Sequence, residues 1–327
     1  MSRPAPPPAL RTQRRLLLLG AVIALLAYIG AVWITDAAQA RAALWELGWL
    51  GCLGVLSLSL LNYVLRFYRW QHYLAQLGRV LPVPLHFMYY LSGFAFTASP
   101  AKAGEAFRSL HLHEHGVAYS DSLAALFSER LLDLVAMCLL ASLAAVEYVS
   151  YRPLVAGIVV AALVVLAMVR HTWLADRLDT LRPRMPRLLL KPLSTLTALL
   201  RSSRLLLEPA PMAIGLGIAL LAWGAEGFGL YLICHSLHID VTVTSSIGIY
   251  AVAALAGCAA FFMPAGIGGT EVVMTSLLML HHSTLRTALV AALLCRIATL
   301  WFAVLVGIAA SLAVELQLMP RPVRSAS

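Results

Sequence analysis

Residues 261–274, FFMPAGIGGTEVVM, break the backbone and place an acid inside one of the most apolar regions of the chain. Pro264, Gly266, Gly268 and Gly269 are poor helix formers, and no basic residue follows Glu271 until Arg286. In water such a stretch would be a surface loop. That reading fails here, because 61% of the residues are hydrophobic, only 12% are charged and the mean hydropathy is +0.84. About a quarter of an ordinary soluble domain is charged. Several windows exceed the roughly 18 apolar residues that mark a bilayer crossing. The chain therefore reads as an all-α polytopic membrane protein. Irregular backbone at membrane depth survives only where protein or water satisfies its N–H and C=O groups. The break thus predicts the tip of a re-entrant hairpin in a protected cavity.

Full spans are expected near 15–35, 47–65, 122–146, 153–169, 211–234 and 287–313, six in all. Two further apolar stretches, 83–98 and 247–281, are interrupted by Pro and Gly. Basic residues sort the connections. Arg3, Arg11, Arg14 and Arg15 precede the first span, and Arg66, Arg69 and Arg79 follow the second. The linker 170–210 is rich in Arg, and Arg321 and Arg324 lie near the end. The opposite connections, 36–46, 147–152 and 235–246, hold only Arg41 and Arg152. With positive loops cytoplasmic, the chain sits in a bacterial inner membrane with both termini on the cytoplasmic side. The net charge of +9 then reflects topology and anionic lipid, and no nucleic-acid partner is expected. A membrane domain at 15–315 is flanked by a disordered tail at 1–14 and a cytoplasmic tail at 316–327. Leu16 to Ile34 followed by Ala38-Gln39-Ala40 resembles a cleavable signal, but its apolar run is too long and favours an uncleaved anchor.

The second broken stretch, FAFTASPAKAGEAFRSL, predicts a counterpart hairpin entering from the cytoplasm. Ser99 can cap a half-helix that opens with Pro100, with Gly104 in its break, and Thr270 can cap the one after Gly269. A shift of 166 residues lays Glu105 on Glu271 and Arg130 on Arg296. Halves at 47–146 and 211–313 each read as span, broken hairpin, span. Three spans lie between the hairpins, so the repeat is inverted, an arrangement of transporters with discontinuous helices.

Five motifs, NYVLRFYRWQHYL (62–74), ASPAKAGEAFRSLHL (98–112), FSERLLDL (127–134), PAGIGGTE (264–271) and LLCRIATL (293–300), resemble the lysylphosphatidylglycerol synthase transmembrane region, a flippase-like family. The resemblance covers roughly residues 15–315. It implies a membrane region that moves a lipid between leaflets. Because the sequence ends shortly after the last span, a stand-alone translocase without the aminoacyltransferase domain is expected. Its cargo would be an anionic phospholipid or a polyprenyl- or hopanoid-type envelope precursor. A membrane enzyme of lipid-linked sugar metabolism and a scaffold binding envelope-biosynthesis enzymes are the alternatives.

Charged groups inside spans face a cavity or a partner. Glu105, Glu129, Asp133, Glu226 and Glu271 are the candidate acids for ion pairing or proton coupling. The bland arrangement pairs Glu105 with Arg130 and Glu271 with Arg296. The sharper one uses Arg130 and Arg296 as phosphate clamps, aided by Lys102 and Arg108 and by Arg66 and Arg69. The run RFYRW also fits an interfacial anchor of aromatic and basic residues. His111, His113 and His115 alternate in a way that suits no single helical face, so no metal is expected. Cys52, Cys138, Cys234, Cys258 and Cys295 share no ligand or disulfide spacing. GIGGTE lacks the residues of a phosphate-binding ATPase loop, and no cofactor is expected.

Overall fold

Leu, Arg, Gln and Ala fill the chain after Pro8, and none of them resists a helix. Pro8 itself suits the first helical turn. α1 accordingly runs Pro8–Gln76 in the computed structural model, which describes residues 8–97, 107–147, 152–171, 173–181, 186–259 and 266–316. It is not straight. A straight helix would hold Tyr28 and Ser59 roughly 46 Å apart. Yet Tyr28 packs on Trp301 with ring centroids 5.4 Å apart, and Ser59 donates to the Ala298 carbonyl at 2.9 Å. α1 therefore doubles back. Gly48, at φ 66°, is its one described residue in the left-handed region, which only glycine enters without penalty. Trp45 and Trp49 flank the fold-back and are 88% and 72% exposed, the placement of an interfacial aromatic belt. Two expectations change here. Residues 36–46 are helical rather than a loop, and residues 8–14 belong to α1 rather than to a disordered tail.

The other described elements are also helical: α2 (Val83–Ser92), α3 (Phe107–His113), α4 (Tyr119–Glu147), α5 (Arg152–Arg170), α6 (Trp173–Leu181), α7 (Arg187–Leu206), α8 (Pro209–Ser236), α9 (Val243–Ala259), α10 (Gly269–Met279), α11 (Leu285–Arg296) and α12 (Phe302–Glu315). A 3₁₀ turn at Gly93–Phe96 extends α2, and a π-helical turn at Ile297–Trp301 joins α11 to α12. Among the described residues, Ala37–Gln76, Pro209–Ser236 and Leu285–Glu315 are long and apolar enough to cross a bilayer. α4 has 29 residues but carries Glu129, Arg130 and Asp133. At a rise of about 1.5 Å per residue, α2, α3 and α10 fall well short of a hydrocarbon core of about 30 Å. Leu26, Ile34, Leu50, Val160 and Leu221 are exposed, as lipid-facing side chains must be.

The second arm of α1 and α8 run antiparallel. Gly229 faces Val55, the Asn62 amide donates to the Ala222 carbonyl at 2.9 Å, and Arg69 reaches the Gly215 carbonyl at 3.4 Å. Each step is seven residues forward on one helix and seven back on the other, the interval that keeps one seam facing its partner. α7 turns Leu200 and Leu206 inward and leaves Arg201 and Arg204 exposed.

Corresponding corners recur along the chain. α2 starts at Val83 and α9 at Val243. Gly78 before the first has φ 73° and His238 before the second has φ 56°. Gly116 before α4 has φ 82°, and His282 before α11 has φ 59°. An L side chain in this region costs about 1–2 kcal/mol. Gly78→Ala should therefore lower stability by about 1 kcal/mol, whereas His238→Gly should not lower it; thermal unfolding in detergent reads both.

α12 meets the 3₁₀ turn at Gly307, where an added Cβ would strike the backbone of Phe94 and Ala95. Rigid backbone cannot yield as a side-chain tip can. Gly307→Ala should lower stability by about 1–3 kcal/mol, as overpacking does, in the same unfolding measurement.

Candidate functional site

Arg66 and Arg69 lie one turn apart on α1 and point at α4, where Glu129 and Asp133 lie one turn apart. Glu129 is wholly buried and gathers the cluster. It accepts from Arg69 Nη2 at 3.3 Å, from Arg108 Nη2, and from the Tyr90 hydroxyl at 3.0 Å. Arg66 Nε is 3.6 Å from it. Asp133 accepts from Arg69 Nη2 at 2.7 Å and from the Trp223 indole at 3.0 Å. Arg130 approaches Asp133 at 3.6 Å and Glu129 at 4.0 Å. The described ion pairs of this cluster thus join four guanidinium groups to two carboxylates.

Aromatic faces complete the enclosure. The Arg108 guanidinium lies 3.7 Å over the Trp70 ring and 4.7 Å over Tyr90. Arg66 lies 5.2 Å over Trp223 and 5.5 Å over Phe94. Such contacts stabilise a cation that has left water. The Trp70 indole donates to His86 at 2.9 Å, fixing the plane on which Arg108 rests. Arg108 Nε and Nη1 and Arg69 Nε are buried and make no hydrogen bond among the described residues. Arg130 differs from its neighbours, since its side chain is 29% exposed.

A second cluster forms at the opening motif. Gly266 and Gly268 have φ 65° and 92°, so the chain turns there and α10 starts at Gly269. Glu271 in the first turn of α10 accepts from the Gly268 N–H at 2.7 Å, from Arg296 Nε at 2.9 Å and from the Tyr28 hydroxyl at 3.1 Å. Arg296 ends α11 at the π-helical turn, a local widening often found at functional positions. Glu226 on α8 is also buried and accepts from the Tyr250 hydroxyl.

The expected Glu271–Arg296 pair is present. The cap is not the expected one: Gly268 occupies the N-cap position and Thr270 is buried inside α10, because the turn needs a left-handed φ that Thr resists. Arg66, Arg69 and Trp70 are buried, which removes the reading of RFYRW as an interfacial anchor; the carboxylates of α4 compensate their charge. Arg130 packs beside Glu129 and Asp133, while Glu105, its expected partner, lies outside the described residues. Ser99, Pro100, Lys102, Gly104 and Pro264 also lie outside them. His111 stacks on Tyr89 at 4.9 Å, and His113 stacks on Tyr119 at 4.1 Å. His115 meets Tyr89 edge-on at 5.5 Å. Tyrosine packing thus accounts for the alternation of the three histidines.

Sequence reasoning missed Tyr28, Tyr90, Trp223 and Tyr250. Each is an aromatic residue in an apolar run, and only its polar tip, aimed at a carboxylate, sets it apart.

A multi-pass helical membrane protein with a buried ionic core is the class these observations define. A model of the lysylphosphatidylglycerol synthase TM region matches residues 17–307. The chain belongs to that family, which associates it with lipid metabolism or transport. No match was found among curated proteins.

Proposed function

We propose that the protein is a lipid translocase whose buried arginines bind the anionic headgroup of a phospholipid or lipid-linked envelope precursor as it passes between leaflets. The observation that supports this most is the set of unused buried donors in the first cluster. Four guanidinium groups surround two carboxylates among the described residues, and buried donors of Arg69 and Arg108 remain unused. Buried polar groups are normally satisfied; a phosphate would bring acceptors to those donors of Arg69 and Arg108. Guanidinium forks match phosphate oxygens in geometry.

The membrane arrangement that goes with this reading has six spans and two re-entrant hairpins, α2–α3 and α9–α10, related by an inverted repeat. The matched corners at Gly78 and His238, and at Gly116 and His282, support it, as do half-helices too short to cross. The hairpins would bring irregular backbone to the cavity, where protein and headgroup satisfy it. Both termini would be cytoplasmic, in the bacterial inner membrane.

The test is leaflet exchange of labelled anionic phospholipid in proteoliposomes. Arg130 is the cluster's partly exposed guanidinium, so Arg130→Gln should fold. It should slow exchange about tenfold or more, the loss expected for one charged hydrogen bond of about 1.5–3 kcal/mol. Equal exchange by both proteins would remove the headgroup assignment. A wild type without exchange would favour a membrane enzyme or a scaffold of envelope biosynthesis.

A further inference from the structure

A second charged site lies away from the arginine cluster, where α5, α6 and α7 meet the start of α8. A cavity of about 490 Å³ opens there, rimmed by His171, Asp176, Arg201, Arg204 and Glu208 and floored by Ala175 and Leu200. A neighbouring cavity of about 470 Å³ shares His171, Arg204 and Glu208 and adds Ala167, Arg170 and Pro209. Ala175 and Leu200 are buried, whereas Arg170, Arg201 and Arg204 are exposed. Arg201 is held in place by Asp179 at 2.7 Å and Asp176 at 3.9 Å. The two helix ends at the site differ in sign. The C-terminus of α5 repels an anion, and Arg170 in its last turn reverses that. α8 starts at Pro209, and its free N–H groups and dipole favour an anion. Residues 170–204 carry eight Arg and Lys against two Asp, a surplus of six in a net charge of +9. An apolar stripe leads into the cavity. Val160 and Val164 of α5 are exposed, and Ala167 and His171 line the cavity. Steps of four, three and four residues place all four on one face.

We propose that this cavity binds the phosphate of an anionic phospholipid whose acyl chains lie along the α5 stripe. The site is independent of the headgroup reading above. Its guanidinium groups come from two separate elements, Arg170 from α5 and Arg201 and Arg204 from α7, so one phosphate can be gripped by both. The stripe argues for a lipid over a soluble phosphate ester. A soluble ester has no use for hydrocarbon contacts, whereas a lipid at this end of α5 rests its tails on Val160 and Val164 as its headgroup enters the cavity. Glu208 opposes an anion. Its side chain makes no capping hydrogen bond at the start of α8, so it can be neutralised without cost to that helix. Each basic residue close to an anionic leaflet contributes about fivefold in affinity.

Hydrogen–deuterium exchange of the full chain in nanodiscs tests it. Residues 200–209 should exchange more slowly with phosphatidylglycerol in the disc than with phosphatidylcholine alone. Arg170→Gln and Arg204→Gln should each raise the phosphatidylglycerol fraction needed for half-protection by about fivefold, and Glu208→Gln should lower it by a similar factor. All three side chains are exposed, and equal melting temperatures verify that the variants fold. Arg130→Gln should leave this protection unchanged, which separates the cavity from the arginine cluster. Glycerol 3-phosphate added to phosphatidylcholine discs should give no protection; protection equal to that by phosphatidylglycerol would overturn the lipid assignment. Exchange that is the same with and without phosphatidylglycerol, or protection that survives both arginine variants, would overturn the site. Absence of leaflet exchange by wild type would remove the translocase reading and leave this site standing.

Discussion

Glu129→Leu is expected to lower stability by about 3–5 kcal/mol, the loss seen when one partner of a buried ionic group is removed. Few single changes in the protein should do more. Glu129 is fully buried and holds Arg69, Arg108 and Tyr90 directly, with Arg66 close by. Without it, guanidinium groups stay in a low-dielectric interior with one carboxylate fewer, Asp133 being the other described acid of the cluster. Glu129→Gln keeps the shape and one acceptor oxygen, and should be less damaging than the leucine variant. Thermal unfolding in detergent, read alongside the yield of monodisperse protein, separates the three proteins. Equal stability of wild type and Glu129→Leu would mean that water or lipid already compensates the arginines.

Glu271→Ala should be of similar size, about 3–5 kcal/mol, for a related reason with a different geometry. Its carboxylate receives Arg296, Tyr28 and the Gly268 N–H, so one side chain fixes three pieces of chain: α11, the first arm of α1 and the turn into α10. The double variant Glu271→Ala, Arg296→Met removes the stranded charge together with its partner. It should recover much of the lost stability, since an apolar replacement of a whole buried pair is often neutral. A double-mutant cycle in the same unfolding assay gives the interaction directly. Additive losses would show that the pair is not coupled.

Some of this could be read from the amino-acid order, because some of it is local chemistry. Pro264 with Gly266, Gly268 and Gly269 marks a break in an apolar run, and the acid three residues after Gly268 returns to its N–H as helix starts commonly do. The pairing of Glu271 with Arg296 was legible because each is a charge inside an apolar run, where a charge needs a partner. Other features had no local signature. Residues 36–46 are mostly good helix formers, so only the tertiary contacts of Tyr28 and Ser59 reveal that α1 doubles back at Gly48. The run RFYRW has the same composition whether its arginines face phosphate at an interface or a carboxylate inside the protein. Glu129 lies 60 residues beyond Arg69, and no short-range pattern joins them. The π-helical turn at Ile297–Trp301 likewise follows from packing rather than from residue type.

The reading as a whole stands on the arginine cluster holding an anionic headgroup. Mass spectrometry of protein purified gently from membranes of mixed lipid composition tests that directly. Wild type should retain an anionic lipid in preference to zwitterionic ones, and Arg130→Gln, folded to the same melting temperature, should release it. Identical lipid occupancy in the two proteins, or retention without regard to headgroup charge, would contradict the account.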